Sequence, residues 1–113
     1  MSHLTSHVLD TALGSPARGV GIRLHVLDDA GGWSLLAERA TDDDGRVTDL
    51  LSGAPFEART YRVTFETAPY WERTGQPVFF PRVEVLFRAD PAQEHYHVPL
   101  LLSPFGYSTY RGS

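Results

Sequence analysis

An all-β antiparallel sandwich is the fold this sequence predicts, and three observations predict it. Apolar and polar residues alternate over short runs, clusters rich in Gly, Pro and Asp separate those runs, and only one stretch carries helix signals. Seven or eight short strands at this spacing read as a sandwich or barrel. At 113 residues the chain has room for one domain, spanning 1–113, large enough to bury a core.

Leu4 to Leu9 is the first strand candidate, and Gly14-Ser15-Pro16 is the turn signal after it. Val20, Ile22, Leu24 and Val26 alternate with Gly21, Arg23, His25 and Leu27, as a strand with one buried face requires. Trp33 to Arg39 is a weaker strand between the turn signals Asp28-Asp29-Ala30-Gly31-Gly32 and Asp42-Asp43-Asp44-Gly45. Tyr61, Val63 and Phe65 alternate with Arg62, Thr64 and Glu66. The helix signals follow: Thr67 as a possible N-cap, an early Pro69 and a closing Gly75 predict a short helix of two turns. Val83, Val85 and Phe87 repeat the strand pattern up to the turn Ala89-Asp90-Pro91. His95 to Leu102 and Gly106 to Arg111 complete the set.

The strand at His95 to Leu102 carries the most information. Residues two apart share a face, so Tyr96, Val98, Leu100 and Leu102 form one side and His95, His97, Pro99 and Leu101 the other. The first set suits the interior. The outward face is then unusually apolar, which points to a partner surface. Pro99 cannot donate to a sheet ladder, so a missing bond or a bulge is expected there.

Composition excludes several classes of function. Net charge is −4 and the basic residues are scattered, whereas nucleic acid rewards a basic stripe. There are no cysteines, hence no disulfide framework and no thiolate metal site. No apolar run approaches a membrane span, and the opening Met1-Ser2-His3-Leu4-Thr5 does not read as a secretory leader, so a cytoplasmic location is the expectation. Five histidines are many for this length, and imidazole switches charge near neutral pH. His95 and His97 could be two ligands of a zinc ion, but no Asp or Glu is evidently placed as a third, and no metal is expected. Asp42-Asp43-Asp44-Gly45 lacks the remaining ligands of a calcium loop and reads as a solvated turn. There is no phosphate-cradling glycine loop and no Gly-x-Ser-x-Gly nucleophile elbow. The residues alone lead to a β-sandwich with histidine chemistry.

Longer motifs lead further. His7-Val8-Leu9-Asp10 followed by Gly14-Ser15-Pro16-Ala17, then Ala68-Pro69-Tyr70-Trp71, then the run from Tyr96 to Tyr110, resemble the transthyretin-like proteins over nearly the whole chain. That resemblance implies a sandwich of two four-stranded sheets with one short helix. It also separates an enzyme branch, the 5-hydroxyisourate hydrolases, from the hormone carrier. The enzyme branch has His, Arg and His where the carrier has Lys, Glu and Thr; here these are His7, Arg46 and His97. The branch also ends in Tyr-Arg-Gly-Ser, as does this chain in Tyr110-Arg111-Gly112-Ser113.

The resemblance implies a homotetramer, a dimer of dimers, whose sites lie at the dimer–dimer interface along the outer face of the first, seventh and eighth strands. His7 and Leu9, then His97, Pro99 and Leu101, then Ser108 and Tyr110 would lie on that face. The implied reaction is hydrolysis of 5-hydroxyisourate, a small-molecule substrate, without a cofactor. His7 or His97 would activate water, Arg46 would clamp developing negative charge, and Ser113 would complete the catalytic set. Ser108, Pro99, Leu101, Tyr110, Arg111 and Gly112 would contact the substrate. Two rivals are a ligand carrier with the same channel and a generic adhesion or carbohydrate-binding sandwich.

Overall fold

The computed structural model describes residues 3–90 and 95–112. In chain order the elements are β1 (His3–Asp10), β2 (Ser15–Pro16), β3 (Gly21–Leu27), β4 (Trp33–Ala40), β5 (Arg46–Val47), β6 (Thr60–Glu66), α1 (Ala68–Arg73), β7 (Val83–Arg88), β8 (His95–Ser103) and β9 (Gly106–Thr109). They form two packed sheets. One runs β4-β3-β6-β7; the other runs β2-β1-β8-β9, with β5 also paired to β1.

The sandwich expected from the alternation is present, with two differences of detail. The second sheet has five strands rather than four, because β2 and β5 share the outer edge of β1: β5 pairs with Ser6 and His7, β2 with Leu9 and Asp10. Two-residue strands carry no readable periodicity. The other difference is direction: β1 and β8 run parallel, while the remaining pairs are antiparallel. Side-chain alternation is the same in either direction, so it does not report this.

The core lies between the sheets and follows the alternation. Leu4 and Val8 of β1, Ile22 and Leu24 of β3, Val63 and Phe65 of β6 and Leu100 and Leu102 of β8 are all buried. Each such side chain contributes about 1.5–3 kcal/mol relative to exposure. A bulge between Leu24 and His25 leaves Leu36 of β4 as the extra residue, still packed on the core.

The helix is shorter than the predicted two turns. Pro69 sits in its first turn, and Gly75 follows its end with φ of 73°. Thr67 occupies the N-cap position but does not cap through its side chain; its hydroxyl donates to Phe80 O at 2.7 Å, tying the helix to the loop before β7. Tyr70 and Trp71 are buried, and the Tyr70 hydroxyl donates to Asp10 Oδ2 at 2.7 Å. The other oxygen of Asp10 accepts the N–H groups of Ala12 and Leu13 at 3.0 Å each, so the end of β1 is tied both to α1 and to its own turn.

The acidic run before β5 is a turn, as expected. Asp42 Oδ1 accepts the N–H groups of Asp44 and Arg46, both at 2.9 Å. Gly45 has φ of 74°, and a Cβ there would overlap Val8 O. Glycine at this point lets the turn press against β1 and lay Arg46 beside His7. Among the described residues no helix is long and apolar enough to cross a membrane.

Candidate active site

Strand register assembles the site. In the parallel pair, Thr5 lies beside His97, His7 beside Pro99 and Leu9 beside Leu101. Beyond β1, Arg46 of β5 is the partner of His7. Beyond β8, Ser108 of β9 is the partner of Leu101, and a single bridge joins His97 to Gly112. The same register puts Tyr110 opposite Pro99. Three cross-strand rows therefore share the outer face: Thr5, His97 and Gly112; Arg46, His7, Pro99 and Tyr110; Leu9, Leu101 and Ser108.

Pro99 produces a missing bond and not a bulge. The β1–β8 register is unbroken through it. On the other side the β8–β9 ladder stops at Leu100 and Thr109 and resumes at His97 and Gly112. Lacking an N–H, Pro99 cannot donate to the strand opposite, though its carbonyl accepts the Thr109 hydroxyl at 2.8 Å.

The two imidazoles are held by different ring atoms. His7 Nε2 lies 2.8 Å from Asp44 O. A carbonyl only accepts, so Nε2 carries the proton and neutral His7 keeps its lone pair on Nδ1. His97 is held through Nδ1, 2.8 Å from Thr5 Oγ1. Gly112 packs on the His97 ring, and its N–H donates to His97 O at 2.8 Å.

A depression of about 270 Å³ opens beside this ring, lined by Thr5, Ser6, Arg46, Val47, Thr48, His95 and His97. Burial lowers the pKa of His97, and the positive charges of His7, His95 and Arg46 lower it further, against an opposing hydrogen bond from the ring to the Thr5 backbone. The result is an imidazole that stays neutral, and basic, near neutral pH. Arg46 is exposed and makes no ion pair with another described residue, so its charge is available to a ligand. A neutral base beside an unpaired guanidinium suits water attack on a carbonyl whose oxygen gains negative charge.

The remaining residues of the implied site are spread more widely. Leu101 and Ser108 line a separate depression of about 330 Å³ with Thr11 and Tyr107. Tyr110 and Arg111 line a third, of about 290 Å³, with Phe87, Tyr96 and Val98. Arg111 lies on the opposite face from His97, its guanidinium 4.4 Å from the centre of the Tyr96 ring. Alternation explains this, since Arg111 falls opposite Val98, an inward residue. Ser113 lies outside the described residues.

Thr5, Thr48 and His95 also line the depression, beyond the residues that the resemblance implies. Thr5 was legible, because it stands two residues before His7 and so shares its face. His95 shares the face of His97 by alternation, and the two rings lie nearly parallel at 6.5 Å between centroids. A larger groove of about 760 Å³ under residues 48–56 meets this depression at Thr48. Among the described residues no three His, Asp or Glu side chains converge to hold a metal ion.

Known proteins resemble this chain closely. The chain is 46% identical to 5-hydroxyisourate hydrolase of Mus musculus over 113 residues, covering 99% of this chain and 96% of that protein. The structure of Klebsiella pneumoniae 5-hydroxyisourate hydrolase superposes with a TM-score of 0.87 at 37% identity, covering all of both chains. Transthyretin from Sparus aurata superposes with a TM-score of 0.90, also at 37% identity, covering 96% of this chain and 95% of that one. Backbone shape is thus common to hydrolase and carrier, and the branch must be read from side chains. The family model described as Transthyretin, HIUase/Transthyretin family, matches residues 4–112, and the chain belongs to that family.

Proposed function

We propose that this chain hydrolyses 5-hydroxyisourate to 2-oxo-4-hydroxy-4-carboxy-5-ureidoimidazoline, a step of urate breakdown, by direct attack of water on the six-membered-ring lactam. One observation carries the reading: His97, its pKa lowered, shares a depression with Arg46, whose charge no described acid neutralises. The hydrolase names of its relatives support it. His97 activates the water, His7 assists from the adjoining row, and Arg46 clamps the carbonyl oxygen as it becomes an oxyanion. Gly112 closes the pocket beside the His97 ring, and Tyr110 packs against the flat ring. The reaction uses no metal and no cofactor.

The same proposal includes a homotetramer, a dimer of dimers, in a cytoplasmic setting. A second copy laid over the outer face of β1, β8 and β9 would roof the His97 depression and the one at Leu101 and Ser108 into one channel, bringing Leu101, Ser108 and Pro99 toward the substrate. It would also cover apolar surface that a lone chain leaves to solvent.

The test follows freshly generated 5-hydroxyisourate by ultraviolet absorbance, with and without chelator-treated protein. Decay well above the spontaneous background supports the hydrolase. Decay at the background rate, with a bound aromatic ligand, would favour a carrier instead.

A further inference from the structure

His97 is held on two sides by residues of other segments. Gly112 fills the space against Cδ2, and Thr5 Oγ1 takes Nδ1 at 2.8 Å. Thr5 comes from β1 and His97 from β8, and the parallel register makes them direct neighbours. Both line the depression that also holds Arg46.

We infer that Thr5 is a positioning residue: its hydroxyl accepts the Nδ1 proton of His97, which fixes the tautomer whose lone pair is on Nε2 and turns that atom toward the depression. This rests on the reading of His97 as the base. A threonine hydroxyl both donates and accepts, so the bond itself allows either tautomer. The part His97 plays as the base decides between them. His7 is committed through Nε2 to Asp44 O, and its lone pair sits on Nδ1. On His97 the atom bound to Thr5 is Nδ1, so only Nε2 is left to take a proton from water. A lone pair on Nδ1 would be spent on Thr5, and Nε2 would present a proton instead of accepting one. The groups that face the His97 ring are His7 and Thr5 from β1, Arg46 from β5 and His95 from β8 itself. All of the ionisable ones are cationic when charged, so the neutral ring is favoured and its tautomer matters.

Thr5 sits half-buried in a regular strand, so Thr5→Val keeps shape and β-branching and deletes only the hydroxyl function. Thr5→Ser keeps the hydroxyl. The test reads ring ¹⁵N shifts of His97 in the ligand-free protein together with kcat and KM. In wild type, Nδ1 carries the proton; in Thr5→Val the two tautomers mix. For Thr5→Val, kcat falls by about 10-fold, part of the ~10²–10⁴-fold that acid–base assistance is worth, with KM nearly unchanged. Thr5→Ser restores both the tautomer and most of kcat. A wild-type His97 protonated on Nε2 overturns the inference, and so does a Thr5→Val protein with unchanged shifts and kcat. The nuclear shifts need no substrate, so a wrong tautomer is distinguishable from a wrong choice of reaction.

Discussion

Gly112 and His97 are locked together across the sheet. The Gly112 N–H donates to His97 O at 2.8 Å, and a Cβ at position 112 would overlap Cδ2 of the imidazole while standing 3.0 Å from Cγ and 3.2 Å from Cβ. The space beside the ring therefore exists because residue 112 has no side chain. The bridge between the two residues is the point at which the chain end rejoins β8 after the gap opposite Pro99.

Gly112→Ala should thus displace the ring. A misplacement of about 1 Å at a catalytic group costs on the order of 10²-fold in rate. The expected result is a kcat lower by about that factor, with a melting temperature close to wild type, since the core does not involve residue 112. Kinetics and thermal unfolding on the same preparation check this.

The pH dependence has a definite sign. Burial and the charges of His7, His95 and Arg46 disfavour the imidazolium form of His97, so its proton leaves below the ordinary value of 6.5. The proposed base is then already free at neutral pH, and kcat/KM should fall only as the pH drops below that value. Arg46→Gln removes one of these positive charges. Its acid limb should move to higher pH while the whole profile drops, which a comparison of the two profiles measures.

Tyr70 and Asp10 make a stability prediction. Asp10 is buried, and its Oδ2 accepts the Tyr70 hydroxyl. Burial first, and then Asp10, push the Tyr70 phenol well above its ordinary pKa, so it remains a donor throughout the working range. Tyr70→Phe leaves a buried carboxylate oxygen without that donor and should cost about 1–3 kcal/mol. Urea unfolding should show a lower midpoint with an unchanged slope.

Much of the fold was legible because alternation reports burial directly. Tyr96, Val98, Leu100 and Leu102 face the core as their spacing requires. What alternation does not encode is pairing. It is silent on the parallel match of β1 with β8, and it has too little to work on in β2 and β5, although β5 carries Arg46. Thr67 has the composition of an N-cap, but its hydroxyl is drawn to Phe80 O because the helix packs on that loop.

The site divides along the same line. Residues 46 and 97 are brought to one depression by strand register, which the sequence conveyed only through family resemblance. Thr5 could have been found by counting two back from His7. Arg111 belongs to a motif that names the residue without naming its face, and the structure stacks it on Tyr96 instead of aiming it along the face of His97.

In the proposed reaction His97 and His7 assist hydrolysis at the Arg46 pocket. The most direct test compares the decay of 5-hydroxyisourate catalysed by wild type, His7→Ala and His97→Ala at equal concentrations of folded protein. Wild type should give rapid decay, His97→Ala a loss of about 10²–10⁴-fold, and His7→Ala a clear loss as well. Near-wild-type turnover in both single variants would contradict it.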